Sequence, residues 1–278
     1  MTYPATADEL FRRHAEAALE LSGAGQTAWN SRILQLTSGQ LAVALWDGSL
    51  ALDGPEVLAP IEEMYGAAGA RHDPATLVRY RDALATLLHE QSHFLGPAGA
   101  TQADARAAFN RPGALELEEG VAEAWAQDNL NAYLHLLGID QVAPGITAVP
   151  STQSYPQYTP AVRELVAGLA TDTGRSPPDV LTELSNQTAE GQWPLVAHLS
   201  GLVPGTAAED TMRQEFARLT AVTGVNESRA IGRQALAEAR QAVAGARQPG
   251  TEAGRAVTGG RVRASATTRV EANGRSWS

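Results

Sequence analysis

The chain has 278 residues, a formal net charge of −10, no cysteine and 44% hydrophobic residues. This length allows one large domain or two small ones, each with a sizeable core. The acidic balance argues against nucleic acid as the main partner, because phosphate binding relies on clustered Lys and Arg. The absence of cysteine excludes disulfides and thiolate metal ligands. No apolar run reaches the roughly 18 residues of a transmembrane helix, so we expect no membrane partner.

Residues 5–22 have apolar side chains at helical spacing and predict an amphipathic first helix. The same segment carries charges from Asp8 onward and lacks the apolar core of a secretory signal peptide. We therefore expect a cytoplasmic protein, or one exported by a route that needs no signal peptide.

Three short apolar segments follow, at residues 31–36, 41–46 and 49–53. The Asp47-Gly48 pair between the last two is a strong signal for a hairpin turn. We therefore predict a small antiparallel sheet ahead of a helical region, which gives an α+β fold class.

The next helix is predicted from Asp73, a good N-cap, to a stop at Gly96-Pro97, and it contains the pattern H-E-x-x-H at residues 89–93. His89 and His93 are one turn apart on one helix face, where both imidazoles can bind one Zn²⁺ at roughly 2.0–2.1 Å. Glu90 projects beside them, where it can accept a proton from water.

A second helix, predicted from about Ala114 to Leu137, supplies acidic side chains. Glu119 and Glu123 are four residues apart and face one way, so one can ligate zinc while the other accepts an N–H of a zinc-bound histidine. Glu118 is the alternative third ligand, but its side chain points about 100° away from that of Glu119 around the helix.

H-E-x-x-H followed by a helix with E-G-x-A-E (residues 119–123) resembles the gluzincin clan of zinc metallopeptidases over residues 41–137. The resemblance implies a zincin-like fold, a zinc-dependent endopeptidase and a peptide or protein substrate. It further implies His89, His93 and Glu119 as ligands, Glu90 as general base and Glu123 as the carboxylate behind a ligand. The G-A-M-E-N motif of the aminopeptidases is absent, and Gly99 stands where metzincins have a third histidine.

The resemblance also predicts where substrate would bind. In zincins an edge strand pairs with the extended substrate backbone, and residues 41–46 are the candidate. Gluzincins commonly use a Tyr or His from the C-terminal part to stabilise the oxyanion. The candidates are His198, Tyr155 and Tyr158, of which we favour His198, with His135 as a weaker alternative.

The domain organisation is predicted from composition. The resemblance implies that residues 1–140 form a zincin-like part, in which we predict a loop over residues 97–112 between the two predicted metal helices. Residues 141–160 form a Pro/Ser/Thr/Tyr-rich linker, and the helical C-terminal part extends to residue 246. Its predicted helices cover residues 160–173, 177–189, 192–202, 206–223 and 226–246. A site between the two parts would be an interdomain cleft.

Residues 247–278 are rich in Gly, Thr and Arg and have few large apolar side chains. We expect a flexible tail; the alternative is a docking or export signal that orders on a partner protein. This tail supports a second hypothesis for function, a non-catalytic or weakly active zinc-site protein that serves as a component or cargo of a larger assembly. A helical interaction protein with a fortuitous motif would instead bind no metal.

Overall fold

The computed structural model describes residues 3–37, 39–152 and 154–247. The described chain is mostly helical with a small sheet, which confirms the α+β class. The predicted tail at 247–278 lies outside the described residues apart from its first position.

The first helix, α1, spans Ala7–Ser22 and begins at Thr6, whose side chain accepts the Glu9 amide. Strands follow at β1 (Gln26–Thr27), β2 (Ile33–Leu36), β3 (Ala42–Ala44) and β4 (Leu50–Asp53). A π-helical turn at Gly54–Leu58 then leads into α2 (Ala59–Gly66). The π-helical turn and α2 were not predicted from the sequence.

The three-stranded sheet has the order β2-β4-β3 and is mixed, so the prediction of an antiparallel sheet is wrong in part. The predicted hairpin is confirmed: β3 and β4 pair antiparallel, and Gly48 takes a φ of 85° in the turn between them. Strand β2 pairs with β4 in parallel, because the connection to β3 carries the chain from one edge of β4 to the other. Strand β3 is consequently an edge strand.

The two predicted metal helices are present as α3 (Pro74–Ser92) and α5 (Ala114–Leu136), which pack against each other. Strand β5 (Leu95–Gly96) follows α3 and pairs antiparallel with β1. Residues 97–112 are not simply a loop, since they contain α4 (Gln102–Phe109). The Thr101 side chain caps α4 by accepting the Asp104 amide, a signal that was present in the sequence.

The C-terminal helices lie close to the predicted positions. After the short helix α6 (Ile139–Val142) and a 3₁₀ turn at Ile146–Ala148, the chain forms α7 (Thr159–Thr173), α8 (Pro177–Ser185), α9 (Ala189–Leu199), α10 (Ala207–Ala217) and α11 (Val225–Arg247). Helix α9 begins three residues earlier than predicted. Its Trp193 is fully buried and donates its indole N–H to the Gly113 carbonyl, at the start of α5, over 2.9 Å.

One hydrophobic core runs through the described chain, from Leu10 on α1 to Ala239 on α11. It includes residues of both predicted parts, so the boundary at residue 140 does not divide the core. Among the described residues, no helix combines the length and the apolar character needed to cross a bilayer.

Candidate metal centre

Helix α3 carries the H-E-x-x-H residues into the interior at its C-terminal end. The Asp73 carboxylate accepts the amides of Ala75 and Thr76, which fixes the start of the helix as predicted. The helix ends at Ser92, and His93 is its C-cap residue. His89, Glu90 and His93 are all buried.

Helix α5 packs against α3 and places its acidic residues beside these histidines, while Gly120, the residue after Glu119, allows a close contact with α7. A Cβ at Gly120 would lie 2.6 Å from Val162 Cγ2 on α7 and 3.2 Å from the Tyr158 carbonyl oxygen. Such distances are shorter than packed carbon atoms normally allow, so a larger residue would push α5 and α7 apart. The glycine of the E-G-x-A-E pattern therefore has a packing role beside Glu119.

His89, His93 and Glu119 form one compact, buried group. Each residue offers one possible ligand atom, and these atoms all lie within 4.8 Å of one another. Glu119 Oε2 lies 3.2 Å from His89 Nε2 and 3.6 Å from His93 Nε2. The three residues predicted as ligands are thus brought together, and they can hold a metal ion.

The Nδ1 atoms of the two histidines contact other carboxylates. His89 Nδ1 lies 3.0 Å from Glu123 Oε2, which is the contact predicted for Glu123. His93 Nδ1 lies 3.2 Å from Glu118 Oε1. Glu118 therefore contacts the His93 ring at the nitrogen that faces away from Glu119. The sequence predicted Glu118 only as an alternative ligand and did not predict this contact.

Charge dominates this site. Four carboxylates (Glu90, Glu118, Glu119 and Glu123) and two imidazoles are buried within it. Burial alone would lower the pKa of His93, but the charge of Glu119 and the contacts with Glu118 and Glu119 outweigh it and raise this pKa to about 9. Burial would raise the pKa of Glu119, yet the two histidines lower it to about 2.

The same arrangement fits a metal ion. Glu119 Oε1 is buried and has no hydrogen-bond partner among the described residues. A buried carboxylate oxygen without a partner is costly unless a cation balances it. With imidazole nitrogens and a carboxylate converging, and each imidazole held at Nδ1, the residues suit a divalent cation.

A cavity of about 580 Å³ opens beside the cluster. Its lining includes His89, Glu90 and Glu123, together with Leu41 and Ala42 at the start of β3. Burial raises the pKa of Glu90. Its Oε2 accepts the Ala44 amide at 2.7 Å, so the edge strand fixes the direction of this carboxylate.

The candidates for the oxyanion donor fall in different places. Tyr155 lines the cavity, and its ring stacks on that of His89 with centroids 5.2 Å apart. Tyr158 is buried and stacks behind Tyr155. His135 pairs with Asp140 on the exposed side of α5.

The structure does not bring His198, the favoured candidate, to the cluster. It is exposed and is not among the residues that line the cavity. Helix α9 approaches the cluster through Gln192, near Glu118 and His93. His198 lies six residues further on, which turns its side chain about 120° away from that of Gln192.

The chain was compared with protein families, with curated proteins and with solved structures, and none of the three comparisons found a match. The resemblance to gluzincins consequently rests on the motif residues alone.

Proposed function

We propose that the protein is a zinc-dependent metalloendopeptidase, with His89, His93 and Glu119 as ligands and Glu90 as general base. The observation that supports this most strongly is the convergence of three buried ligand atoms within 4.8 Å, next to a cavity that Glu90 also lines. The likeness of H-E-x-x-H and E-G-x-A-E to gluzincin motifs agrees with it.

Zinc is the metal proposed because its protein sites commonly combine histidine nitrogens with a carboxylate oxygen. When bound, Zn²⁺ supplies Lewis acidity that lowers the pKa of water and polarises a carbonyl. Glu123 and Glu118 hold the Nδ1 atoms of His89 and His93, which directs both Nε2 atoms toward Glu119.

Glu90 is the proposed proton carrier. The Ala44 amide occupies Oε2. Oε1 then accepts the proton of the attacking water and later delivers it to the leaving amine. A carboxylate whose pKa is raised by burial is suited to both steps, since it holds and releases a proton closer to neutral pH.

Substrate would bind in extended form along β3. The Leu41 carbonyl accepts the Asp53 amide, and Val43 lies opposite Ala51, so Ala42 and Ala44 direct their backbone groups away from β4. Ala42 lines the cavity, so its backbone groups are the proposed site of strand addition. The Tyr155 hydroxyl, rather than His198, is the proposed second donor to the oxyanion.

The test combines metal content with hydrolysis. In Glu90→Gln, zinc should remain near one per chain while peptide cleavage falls by about 10³-fold or more. His93→Ala should lose both the metal and the activity. Glu62→Gln, an exposed change on α2, is the matched control and should alter neither.

The outcomes separate the hypotheses. Cleavage that survives in Glu90→Gln would refute the general-base role. A protein that binds zinc but cleaves no peptide in any form would favour a non-catalytic zinc-site protein. Absence of zinc after reconstitution would refute the metal site itself.

A further inference from the structure

A short segment after α6 contacts both the cavity and a proposed metal ligand. Its described residues Ser151, Thr152, Ser154 and Tyr155 are called the strap here. Thr152, Ser154 and Tyr155 line the cavity together with Ala42 of β3. The strap also interacts with His89 in two ways, through hydrogen bonds to Glu123 and through the ring of Tyr155. One segment therefore both lines the cavity and contacts a proposed metal ligand.

We propose that Asp82 is a positioning residue for the metal centre, which acts on His89 through the strap. The inference rests on the metal site of the proposed function, and it assigns a role to a carboxylate that the motif does not include. Asp82 lies seven residues before His89, two turns earlier on the same face of α3.

The first step is the attachment of the strap to α3. The two oxygens of the Asp82 carboxylate accept different groups of Thr152: Oδ1 accepts the backbone amide at 2.7 Å, and Oδ2 accepts the hydroxyl at 2.9 Å. This two-point contact fixes both the position and the orientation of the strap. Hydrogen bonds to a carboxylate are stronger than neutral ones.

The second step joins the strap to α5. Gln127 accepts the Ser151 hydroxyl at 3.0 Å and donates to Glu123 Oε1 at 2.9 Å. The Ser154 amide donates to the same oxygen of Glu123 at 2.9 Å. Since Glu123 Oε2 holds His89 Nδ1, the strap helps to set the direction of the His89 ring.

The third step is the ring contact of Tyr155. Its φ of 50° is in the left-handed region, which side-chain-bearing residues rarely adopt and which surrounding contacts must maintain. In this conformation the Tyr155 ring lies nearly parallel to that of His89, with an interplanar angle of 15°. Release of the strap at Thr152 would therefore disturb both the hydrogen bonds to Glu123 and the ring contact of Tyr155 that position His89.

The experiment measures metal affinity in the full chain by competition with a chromogenic chelator, using Zn²⁺ alone. Asp82→Ala should raise the zinc Kd by about 5–10-fold, less than the 10–100-fold loss typical of direct partners of ligands. Thr152→Val, which keeps the backbone amide, should give a smaller rise. The visible spectrum of the Co²⁺-substituted variants should also shift, because the His89 ring moves.

Two control variants distinguish a loss of His89 positioning from a loss of helix stability and from a loss of negative charge. Asp73→Ala removes the N-cap of the same helix without touching the strap, and should leave the zinc Kd within about twofold of the original. Asp82→Asn keeps an acceptor for the Thr152 amide, so it should bind zinc more tightly than Asp82→Ala.

An unchanged Kd and Co²⁺ spectrum in both Asp82→Ala and Thr152→Val would overturn the positioning role while leaving the proposed function intact. Equal losses in Asp82→Asn and Asp82→Ala would also overturn it, because charge alone would then explain the effect. If the unaltered protein binds no zinc, both proposals fail. Should Asp82→Ala not fold, Thr152→Val at an exposed position still decides the question.

Discussion

Glu118 and His93 meet at 3.2 Å between Oε1 and Nδ1, on the side of the imidazole that faces away from Glu119. Two consecutive residues of α5 thus contact the two nitrogens of one ring. Their side chains leave the helix about 100° apart, so they approach the ring from different directions. This relationship gives Glu118 and Glu119 different expected roles.

Replacing each of these neighbours should therefore have different effects on metal binding. Glu119→Ala removes a proposed ligand and should abolish stoichiometric zinc binding. Glu118→Ala should weaken binding by about 10–100-fold without abolishing it, because it removes only the partner of a ligand. Zinc titration against a chelator of known affinity measures both. Equal losses, or a larger loss in Glu118→Ala, would contradict the assignment of the third ligand.

Gly120→Ala should destabilise the fold by about 1–3 kcal/mol, because the new Cβ would overlap Val162 and the Tyr158 backbone. Urea unfolding measures the change. Gly66→Ala at the end of α2 is the matched control, since nothing lies within 4 Å of a Cβ there. It should be neutral or stabilising by up to about 1 kcal/mol. Gly120→Ala with Val162→Ala should recover part of the loss; no recovery would argue against the proposed overlap.

Two variants of Tyr155 separate its hydroxyl from its ring. Tyr155→Phe keeps the stacking on His89 and should preserve the zinc Kd, while kcat falls by about 10²–10³-fold if the hydroxyl stabilises the oxyanion. Tyr155→Asn tolerates the left-handed backbone but lacks the ring, so both zinc affinity and kcat should fall. Full activity in Tyr155→Phe would exclude the hydroxyl as the second donor.

His14 should make the fold sensitive to acid. Its ring is buried edge-on to Trp29, with centroids 4.5 Å apart, and neither ring nitrogen has a hydrogen-bond partner among the described residues. Burial lowers its pKa from 6.5 to about 3, so the unfolded chain binds a proton below pH 6.5 that the folded chain rejects. Stability from this group is present above pH 6.5 and is lost as the pH falls toward 3, by about 1.4 kcal/mol per unit.

His14→Phe should consequently lose less stability than the original protein between pH 7 and pH 5, by about 2 kcal/mol. Urea unfolding at both pH values measures the difference. His135→Phe, which removes an exposed imidazole, should retain the original pH dependence. An unchanged pH dependence in His14→Phe would show that the buried ring does not control acid sensitivity.

The metal helices could be predicted because their signals are local. Asp73, Pro74 and the spacing of His89 and His93 all act within one helix, and the structure agrees with each. The role of Glu118 could not be predicted, because it depends on how α3 and α5 cross. The same limit applies to His198: its residue type suited an oxyanion donor, but the rotation of α9 turns it to the surface.

Two features of the fold, helix α4 and the parallel pairing of β2, were predicted wrongly for different reasons. Helix α4 was missed because the Gly and Asn residues around it outweighed the cap formed by Thr101 and Asp104. The parallel pairing of β2 with β4 was missed because the turn at Asp47-Gly48 determines only its own hairpin. Strand order beyond a hairpin depends on packing against the rest of the chain.

The hydrogen bond from Trp193 to the Gly113 carbonyl has a consequence for how the protein could be divided. It fixes the start of the helix that carries Glu118 and Glu119 to a residue far later in the chain. A fragment of residues 1–140 would keep every proposed ligand but would lack this anchor, and it would expose the face of α5 that packs on α7. The proposed metal ligands therefore depend on the C-terminal helices for their support: a shortened protein or a chimera built around them would have to retain α7 and α9.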